Sequence, residues 1–231
     1  MGKDKLKKWE ENKSFPHVHE PNLLPVIREG ATYMKGEWHE KVFTNKNPIV
    51  VELGCGKGEY TVGLARKYPH INYLGVDVKG HRFHKGAKES YQEGLKNVAF
   101  LRTRVEFIQS FFGPNEVDEI WLTFSDPQPQ DKTGVRRITS KIYAHKYRSF
   151  LKPGGLIHIK HDNPEVYRLA LEEFGNDPDY IIETHNDDIY GAYISSLDEE
   201  WQYILGIRTY YEQMWLDEGR KTKYVRIRSL K

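Results

Sequence analysis

A glycine-rich turn between an apolar strand and a helix constrains the fold of this chain more than any other stretch. Residues 50–53 (Val-Val-Glu-Leu) predict a buried strand, and Gly54, Gly56 and Gly58 follow at once in a G-x-G-x-G pattern. Residues 59–68 then place apolar side chains at helical spacing. Glycine suits such a turn because it adopts positive φ and lets a ligand approach the bare backbone. A strand, a tight turn and a helix in this order are typical of a nucleoside-cofactor site.

Two acidic residues indicate which cofactor this unit binds. Asp77 ends a second apolar strand, nineteen residues after Gly58, where a carboxylate would accept hydrogen bonds from ribose hydroxyls. Glu52 lies inside the first strand, where its charge would repel a pyrophosphate and attract a cationic sulfonium or amino group. The loop spacing also differs from the G-x-G-x-x-G of dinucleotide sites. These features predict S-adenosylmethionine binding through Glu52, Gly54, Gly56 and Asp77, and they disfavour a nucleotide-dependent oxidoreductase.

Strands and helices alternate along the middle of the chain, which predicts βαβ units and an α/β fold with a doubly wound, mostly parallel sheet. The predicted strands are 50–53, 71–77, 98–101, 118–124 and 156–160, and the predicted helices are 59–68, 79–91, 104–112, 138–151 and 165–174. Ligands of such sheets bind at the carboxyl ends of the strands. The segments 103–105, 125–130 and 161–163 therefore join the glycine loop and Asp77 as candidate site segments.

The first 47 residues are expected to precede a cofactor-binding domain that spans residues 48–231. Residues 1–13 carry five lysines and three acids, a composition that indicates a mobile arm. Residues 14–48 contain four prolines and are expected to form an irregular lead-in to the first strand of the domain.

Cysteine usage and hydropathy predict a cytoplasmic protein. Cys55 is the one cysteine of the chain, which suits a reducing compartment. No apolar run reaches the eighteen residues of a membrane span, and no signal-peptide pattern precedes the lead-in. The His81/His84 and His158/His161 pairs have a spacing of three residues, but no cysteines support them, so no metal site is expected.

The distribution of charge predicts a polyanion partner although the net charge is only +2. Residues 162–200 carry twelve acidic residues against one basic residue, so the remainder of the chain is strongly basic. Residues 130–150 hold six basic residues, including Lys132 and the adjacent Arg136 and Arg137, against one acid. Such a segment beside a cofactor pocket favours a substrate that bears phosphates.

The segment Phe124-Ser-Asp-Pro-Gln-Pro-Gln130 follows the fourth predicted strand and faces the reactive end of the expected cofactor. Pro127 and Pro129 fix φ and remove two N–H donors, so the Asp126 carboxylate would be held in place as an acceptor. An acceptor at this point would stabilise positive charge that develops on a substrate ring during alkylation. Asp126 is therefore the candidate catalytic residue, and it is also expected to contact the cofactor.

Several stretches together resemble the bacterial tRNA (guanine-N7-)-methyltransferases. They are residues 51–59 (VELGCGKGE), 73–77 (YLGVD), 124–129 (FSDPQP), 136–140 (RRITS), 151–155 (LKPGG) and 161–163 (HDN). Near the end, Thr209-Tyr-Tyr-Glu212 and the strand 224–228 are similar to the terminal T-x-[FY]-E motif and strand of that family. The resemblance implies a Rossmann-like class I methyltransferase with an antiparallel C-terminal strand. It also implies S-adenosylmethionine as cofactor, tRNA as partner, and methylation of guanine N7 in the variable loop.

The resemblance assigns roles to individual residues of this chain. It implies cofactor carboxylates at Glu52 and Asp77 and a catalytic-loop aspartate at Asp126. The residues that it implies for tRNA binding are Asp162, Thr209 and Glu212.

Three positions depart from the pattern of the family. Arg104, next to Val105, stands where a cofactor-contacting Asp or Asn is usual, and both residues are retained as candidate cofactor contacts. Gln128 replaces the usual aromatic residue within D-P-x-P. Gln130 stands where a substrate lysine is usual, and Lys132 is a candidate to take its role.

The chemistry of the implied reaction needs little from the protein beyond positioning and charge stabilisation. Guanine N7 carries an exposed lone pair and no proton, so no general base is required. Asp126 would offset the positive charge that appears on the base.

Two alternatives stay open beside this interpretation. The first is a class I methyltransferase that acts on a small molecule or a protein. The second is a non-catalytic RNA-binding module that retains the fold, which the departures at Arg104, Gln128 and Gln130 would explain. The sequence is compatible with a monomer or a homodimer.

Overall fold

The computed structural model describes residues 3–128 and 133–231, and within them eight strands form one sheet. The strands are β1 (Val18–His19), β2 (Ile49–Leu53), β3 (Asn72–Asp77), β4 (Val98–Arg102), β5 (Val117–Thr123), β6 (Leu151–His161), β7 (Tyr180–Asn186) and β8 (Lys223–Ser229). Their order is β1-β4-β3-β2-β5-β6-β8-β7. β8 is antiparallel to both of its neighbours, and the other neighbouring pairs are parallel. The predicted fold class and its antiparallel C-terminal strand are thus confirmed.

Helices connect the parallel strands and cover both faces of the sheet. They are α1 (Lys3–Asn12), α2 (Leu23–Glu29), α3 (Glu59–Lys67), α4 (Gly80–Gln92), α5 (Lys141–Tyr147), α6 (Pro164–Gly175), α7 (Glu199–Gly206) and α8 (Tyr210–Asp217). A π-helix (Trp38–Phe43), a 3₁₀ segment (Val105–Ser110) and an irregular helical turn (Ile189–Tyr193) supplement them. Among these helices of the described residues, none has the length and apolarity to cross a bilayer.

The core lies on both faces of the central strands. Alternate residues of β2 enter different clusters: Val51 packs on the face that holds Trp38, and Val50 packs on the face that holds Phe83 and Phe100. β2 and β3 are buried along their whole length, as strands covered on both faces must be. The strand order reverses at β2, and this switch point is where such sheets bind ligands.

The second half of the sheet differs from the sequence prediction in two places. The predicted helix over 138–151 shrinks to α5, and β6 begins early enough to include the predicted turn 152–155 as a bulge against β5. β7 was not predicted because it lies at the edge of the sheet and exposes alternate side chains such as Glu183, so it lacks a buried strand's apolar run.

The amino-terminal residues are more ordered than the sequence predicted. Residues 3–12 form α1 instead of a mobile arm, and α1 packs on α4. Asn12 is buried and its Nδ2 donates to the Gly80 carbonyl at 2.9 Å, while Glu11 accepts from His84 at 2.8 Å and from Lys88 at 2.7 Å. The residues that anchor α1 are polar, and their partners lie far along the chain, so composition alone suggested disorder. The division of the chain at residue 47 stays a prediction.

A buried carboxylate joins the lead-in to the domain. Glu116 is 7% exposed, and its carboxylate accepts from the backbone N–H groups of Gly36 at 2.9 Å, Trp38 at 2.9 Å and Gly113 at 2.7 Å. The Trp38 ring completes the junction because its Nε1 donates to the Phe111 carbonyl at 2.8 Å. The Glu116 carboxylate therefore ties the start of the π-helix to the domain.

Replacing Glu116 with alanine should lower the free energy of unfolding by about 3 kcal/mol or more, because buried N–H groups lose their acceptor at about 1–3 kcal/mol each. Urea unfolding followed by circular dichroism measures the change. Glu29→Ala, at an exposed position at the end of α2, is the control and should change stability by less than about 0.5 kcal/mol. Equal stabilities for the two variants would contradict this role of Glu116.

Candidate active site

The glycine loop, residues 54–58, follows β2 and borders an open space. Gly54 and Gly56 have φ of +82° and +56°, a region in which other residues are strained. The N–H groups of Gly54 and Cys55 donate to the Val76 carbonyl at 2.8 and 2.9 Å, which ties the loop to the end of β3. A Cβ added at Gly54 or Gly56 would meet no atom within 4 Å. The loop therefore presents bare backbone to a space that a ligand can enter.

A cavity of about 410 Å³ opens at the carboxyl ends of β2, β3, β4 and β5. Its lining brings together six of the predicted site residues, which are Gly54, Asp77, Arg104, Val105, Asp126 and Arg136. These residues come from segments that are far apart in the chain, and their proximity follows from the parallel strand order. Their individual roles stay predictions.

Asp77 lies at the end of β3 with its carboxylate against the glycine loop. It is 5% exposed, its Oδ2 accepts from the Gly56 N–H at 3.1 Å, and its Oδ1 accepts from the Lys79 N–H at 2.8 Å. Burial raises the pKa of Asp77, while these backbone donors and the nearby Arg82 oppose that shift. Each carboxylate oxygen retains a further lone pair, so the group can accept from a ligand hydroxyl.

Glu52 lies below the loop and is not among the described residues that line the cavity. It is 4% exposed, and its Oε2 accepts from the Thr61 N–H at 3.0 Å and from the Thr61 hydroxyl. The Thr123 hydroxyl donates to Oε1. Burial raises the pKa of Glu52 to about 7, although the hydroxyl donors oppose the shift. Direct contact between Glu52 and a cofactor stays a prediction, and its charge would act on the loop from beneath.

The segment after β5 holds Asp126 at the rim of the cavity. Phe124 and Gln128 have φ of +48° and +46°, which is unusual for residues with side chains and bends the backbone on both sides of Asp126. His161 supports the bend because its Nε2 donates to the Ser125 carbonyl at 2.7 Å and its ring stacks on Phe124. The exposed Asp126 carboxylate accepts from the Gln128 N–H at 3.2 Å. The remaining predicted residues of this segment, Gln130 and Lys132, lie outside the described residues.

The two adjacent arginines have different environments. Arg136 is exposed and lines the cavity, in keeping with a role toward substrate. Arg137 is 7% exposed and forms an ion pair with Glu173 of α6, whose carboxylate also accepts from the Lys141 N–H. Its guanidinium is thus engaged within the fold, and a contact of Arg137 with substrate phosphate stays a prediction.

The predicted tRNA-binding residues near the C-terminus are parts of the core. Thr209 caps α8, and Glu212 completes a capping box with it. Glu212 is 0% exposed, and its carboxylate pairs with the equally buried Lys160 at 2.9 Å. The motif therefore stabilises α8, and contact of Thr209 or Glu212 with RNA stays a prediction.

Asp162 is also engaged within the fold. Its side chain is 8% exposed, and Oδ2 pairs with Arg220 Nη1 at 2.9 Å. Lys223 donates to its carbonyl at 2.9 Å. The contact of Asp162 with RNA stays a prediction.

Thr103 is a cavity residue that the sequence analysis did not single out. Thr103 follows β4, is 2% exposed and lines the cavity, yet its Oγ1 has no hydrogen-bond partner among the described residues. A buried hydroxyl without a partner is costly unless a ligand or water completes it. The segment 103–105 was a candidate by position, but only the structure distinguishes Thr103 from Arg104, which is exposed and pairs with Glu106 at 2.7 Å.

Comparisons with known proteins agree with this geometry. A family model described as a putative methyltransferase matches residues 46–225. A tRNA (guanine-N(7)-)-methyltransferase of Bacteroides fragilis is 48% identical over 229 residues, which cover 98% of this chain and 86% of that protein. One of Christiangramia forsetii is 41% identical over 226 residues, with 98% of each chain covered. The solved structure of the 16S rRNA methyltransferase KamB has a TM-score of 0.60 at 14% identity and covers 86% of this chain and 95% of that chain, a likeness of fold.

The raised pKa of Glu52 predicts a pH-dependent loss of stability in the absence of cofactor. Between pH 4.5 and about 7 the folded protein binds more protons at Glu52 than the unfolded chain does, so the free energy of unfolding falls as the pH rises through this window. Glu52→Gln removes this proton linkage. Its stability relative to wild type should rise by about 3 kcal/mol from pH 4 to pH 8, at about 1.4 kcal/mol per unit of pKa shift.

Urea unfolding at a series of pH values measures this difference. Glu199→Gln, at an exposed position in the first turn of α7, is the control and should show no comparable change with pH relative to wild type. A pH-independent difference between Glu52→Gln and wild type would contradict the raised pKa.

Proposed function

The chain belongs to the family of tRNA (guanine-N(7)-)-methyltransferases, and we propose that it transfers a methyl group from S-adenosylmethionine to N7 of a guanine in the variable loop of tRNA. The observation that carries this proposal is the single cavity lined by the glycine loop, Asp77 and Asp126 at the switch point of the sheet. In this cavity the Asp77 carboxylate can accept hydrogen bonds from a nucleoside. The Asp126 carboxylate lies beside the position where a methyl group would be transferred.

The residues of the cavity fit S-adenosylmethionine. Gly54 and Gly56 leave room for close approach, and the lone pairs of Asp77 suit the ribose hydroxyls. The unpartnered Thr103 hydroxyl, with Arg104 and Val105 beside it, suits the polar edge of an adenine ring. Glu52 lies beneath the loop and, when ionised, would supply negative charge for the amino acid end of the cofactor. When bound, S-adenosylmethionine supplies a methyl group on a positively charged sulfur.

The chain's own contribution to the reaction is positioning and charge stabilisation. Guanine N7 has a lone pair and no proton, so the reaction as written requires neither a general base nor a metal ion. Transfer of the methyl group from sulfur to N7 would move the positive charge from the sulfur to the purine. Asp126 holds a carboxylate where it can accept from the guanine N1–H and N2 amine and offset this charge. Arg136, on the same cavity, positions a phosphate of the substrate.

Two observations favour this activity over the alternatives. The relatives named for tRNA match this chain over nearly its whole length, which supports tRNA over a small molecule or a protein as substrate. The glycine loop and Asp77 retain a ligand-accepting geometry, which supports catalysis over a module without a working cofactor site.

The proposal has three further parts. Residues 48–231 form the catalytic domain, and the enzyme works in the cytoplasm, where the buried Cys55 thiol stays reduced. It works as a monomer or a homodimer.

Asp126→Ala should reduce turnover by about 10²-fold, because a preorganised electrostatic group typically contributes that much to a transition state. Transfer of tritiated methyl groups to unmodified tRNA, with mapping of the modified base, measures the rate and tests the proposed function itself. Asp126→Asn, which keeps the shape and removes the charge, should lose most of the same activity. Asp187→Ala, at an exposed position beyond β7, is the control. Turnover of Asp126→Ala within about threefold of wild type would remove Asp126 from the mechanism.

Thr103→Val should weaken S-adenosylmethionine binding by about two- to tenfold, the range expected for one neutral hydrogen bond of about 0.5–1.5 kcal/mol. Valine keeps the shape of threonine and removes the hydroxyl that lacks a partner. Titration calorimetry with S-adenosylmethionine and with S-adenosylhomocysteine measures both affinities. Thr103→Ser retains the hydroxyl and should bind as wild type does. Equal affinities for Thr103→Val and wild type would exclude a cofactor contact by this group.

A further inference from the structure

A second, larger cavity lies beside the cofactor cavity and plays no part in the chemistry above. Its volume is about 670 Å³, and it lies between α1, α4, α8 and the glycine loop. Its charged lining consists of Lys8, Lys57, Arg82, Lys85, Lys88 and Glu89. Among the described residues of the lining, five permanent cations therefore face one carboxylate. We call this site the α1–α4 cavity.

Lys88 is paired with Glu11 at 2.7 Å, but Lys57 and Lys85 of the α1–α4 cavity are only weakly neutralised. Lys57 rests on the ring of Tyr210, 3.3 Å from its centroid, a contact that leaves its charge in place. Lys85 approaches Glu89 at 3.7 Å, but the Lys85 side chain is 60% exposed, and such surface pairs are worth little. Burial and the neighbouring cations Lys5 and Arg82 hold the pKa of His81 below its usual value, which is in keeping with a positive local potential.

The docking of α1 gives this positive surface a defined shape. The Glu11 carboxylate bridges His84 and Lys88 of α4, and Trp9 stacks under Arg102 with the guanidinium 4.7 Å from its ring. Because α1 is fixed by these contacts, Lys8 is presented beside the cations of α4 rather than on a free tail. One wall of the α1–α4 cavity is thus supplied by residues that precede the methyltransferase domain.

The α1–α4 cavity adjoins the cofactor cavity. Arg82 lines both, and the two cavities meet at the glycine loop, where Gly54 lines one and Gly56 lines the other. Tyr211 adds an exposed aromatic ring to the same wall. A nucleic acid strand would match this arrangement, because its phosphates can pair with the cations and one of its bases can stack on the aromatic ring.

The other lateral edge of the sheet has the opposite charge. The acidic residues 162–200 include α6 and β7, and β7 is the last strand in the sheet order, while α4 covers β3 and β4 near the first. Several of these acids are paired within the fold, as Glu183 is with Arg226, but their excess over bases makes the β7 side less attractive to a polyanion than the α4 side.

We propose that the α1–α4 cavity binds the phosphate backbone of tRNA at a point away from the methylated guanine. This inference rests on the proposed function, because it takes tRNA as the substrate. The cavity contributes sequence-independent affinity, and it orients the tRNA so that the target guanine reaches Asp126. Cations that bind phosphates release counterions, so affinity contributed by this cavity must depend on salt.

The test compares two double variants in tRNA binding. Lys8→Ala/Lys85→Ala removes two exposed cations of the α1–α4 cavity that have no role in the cofactor site. Lys46→Ala/Lys96→Ala is the matched control: both lysines are exposed and precede parallel strands, so they lie at the opposite edge of the sheet. Fluorescence anisotropy with labelled unmodified tRNA gives Kd over a range of salt concentrations, and calorimetry gives the affinity for S-adenosylmethionine.

The inference predicts that Lys8→Ala/Lys85→Ala binds tRNA roughly tenfold more weakly at low salt. It also predicts that the slope of log Kd against log salt falls by about 0.7–0.9 for each phosphate that the variant no longer neutralises. S-adenosylmethionine affinity should equal that of wild type, and the control pair should keep both the affinity and the slope.

An unchanged slope for Lys8→Ala/Lys85→Ala, with wild-type protein binding and methylating tRNA, overturns the inference and leaves the proposed function intact. If the wild-type protein neither binds nor methylates tRNA, the proposed function fails, and the inference that rests on it fails with it. Binding of inorganic phosphate tests for a third outcome, in which the cavity serves a small phosphate-bearing ligand. If phosphate binds this site in wild type while the tRNA slope of the variant is unchanged, that outcome holds and the inference fails.

Discussion

The close packing of the glycine loop against β4 and α4 is the constraint on which the rest of the structure depends. Gly86 of α4 donates its N–H to the Lys57 carbonyl at 3.0 Å, and a Cβ at Gly86 would stand 2.8 Å from that oxygen. A Cβ at Gly58 would stand 2.9 Å from the Phe100 ring. Because these contacts admit no side chain, the loop, α3 and α4 have one relative position, and that position sets the cofactor cavity and the adjoining α1–α4 cavity together.

Buried polar groups extend this constraint along the carboxyl edge of the sheet. Glu52 joins β2 to α3 through Thr61 and to β5 through Thr123, the last residue before the segment that carries Asp126. Lys160 of β6 donates to the Leu205 carbonyl at 2.7 Å and to Glu212, which brings the end of α7 and the start of α8 over the same edge. Burial of such groups is tolerable only because each has a partner, and the partners specify how the elements meet.

The charge pattern gives the site an orientation. The cofactor cavity opens between an acidic edge near β7 and a basic edge near α1 and α4, so a polyanion meets the catalytic segment from one side. Under the proposed function, this division would let a chain with a net charge of only +2 bind RNA.

Local sequence determined the parts of the protein that depend on backbone geometry and chain order. The glycine spacing, the alternation of strands and helices, and the positions of Asp77 and Asp126 after their strands suffice to place these residues at one cavity, because right-handed βαβ units leave few other arrangements. The burial of charged side chains and the identity of their partners depended on the tertiary structure. Glu212 was predicted to meet RNA but pairs with Lys160, which lies 52 residues away, and Arg137 pairs with Glu173, 36 residues away. Whether a charged side chain faces solvent or a buried partner is set by residues distant in the chain, so no local pattern reveals it. For the same reason only the fold showed that α1 is docked and that the Thr103 hydroxyl has no partner among the described residues.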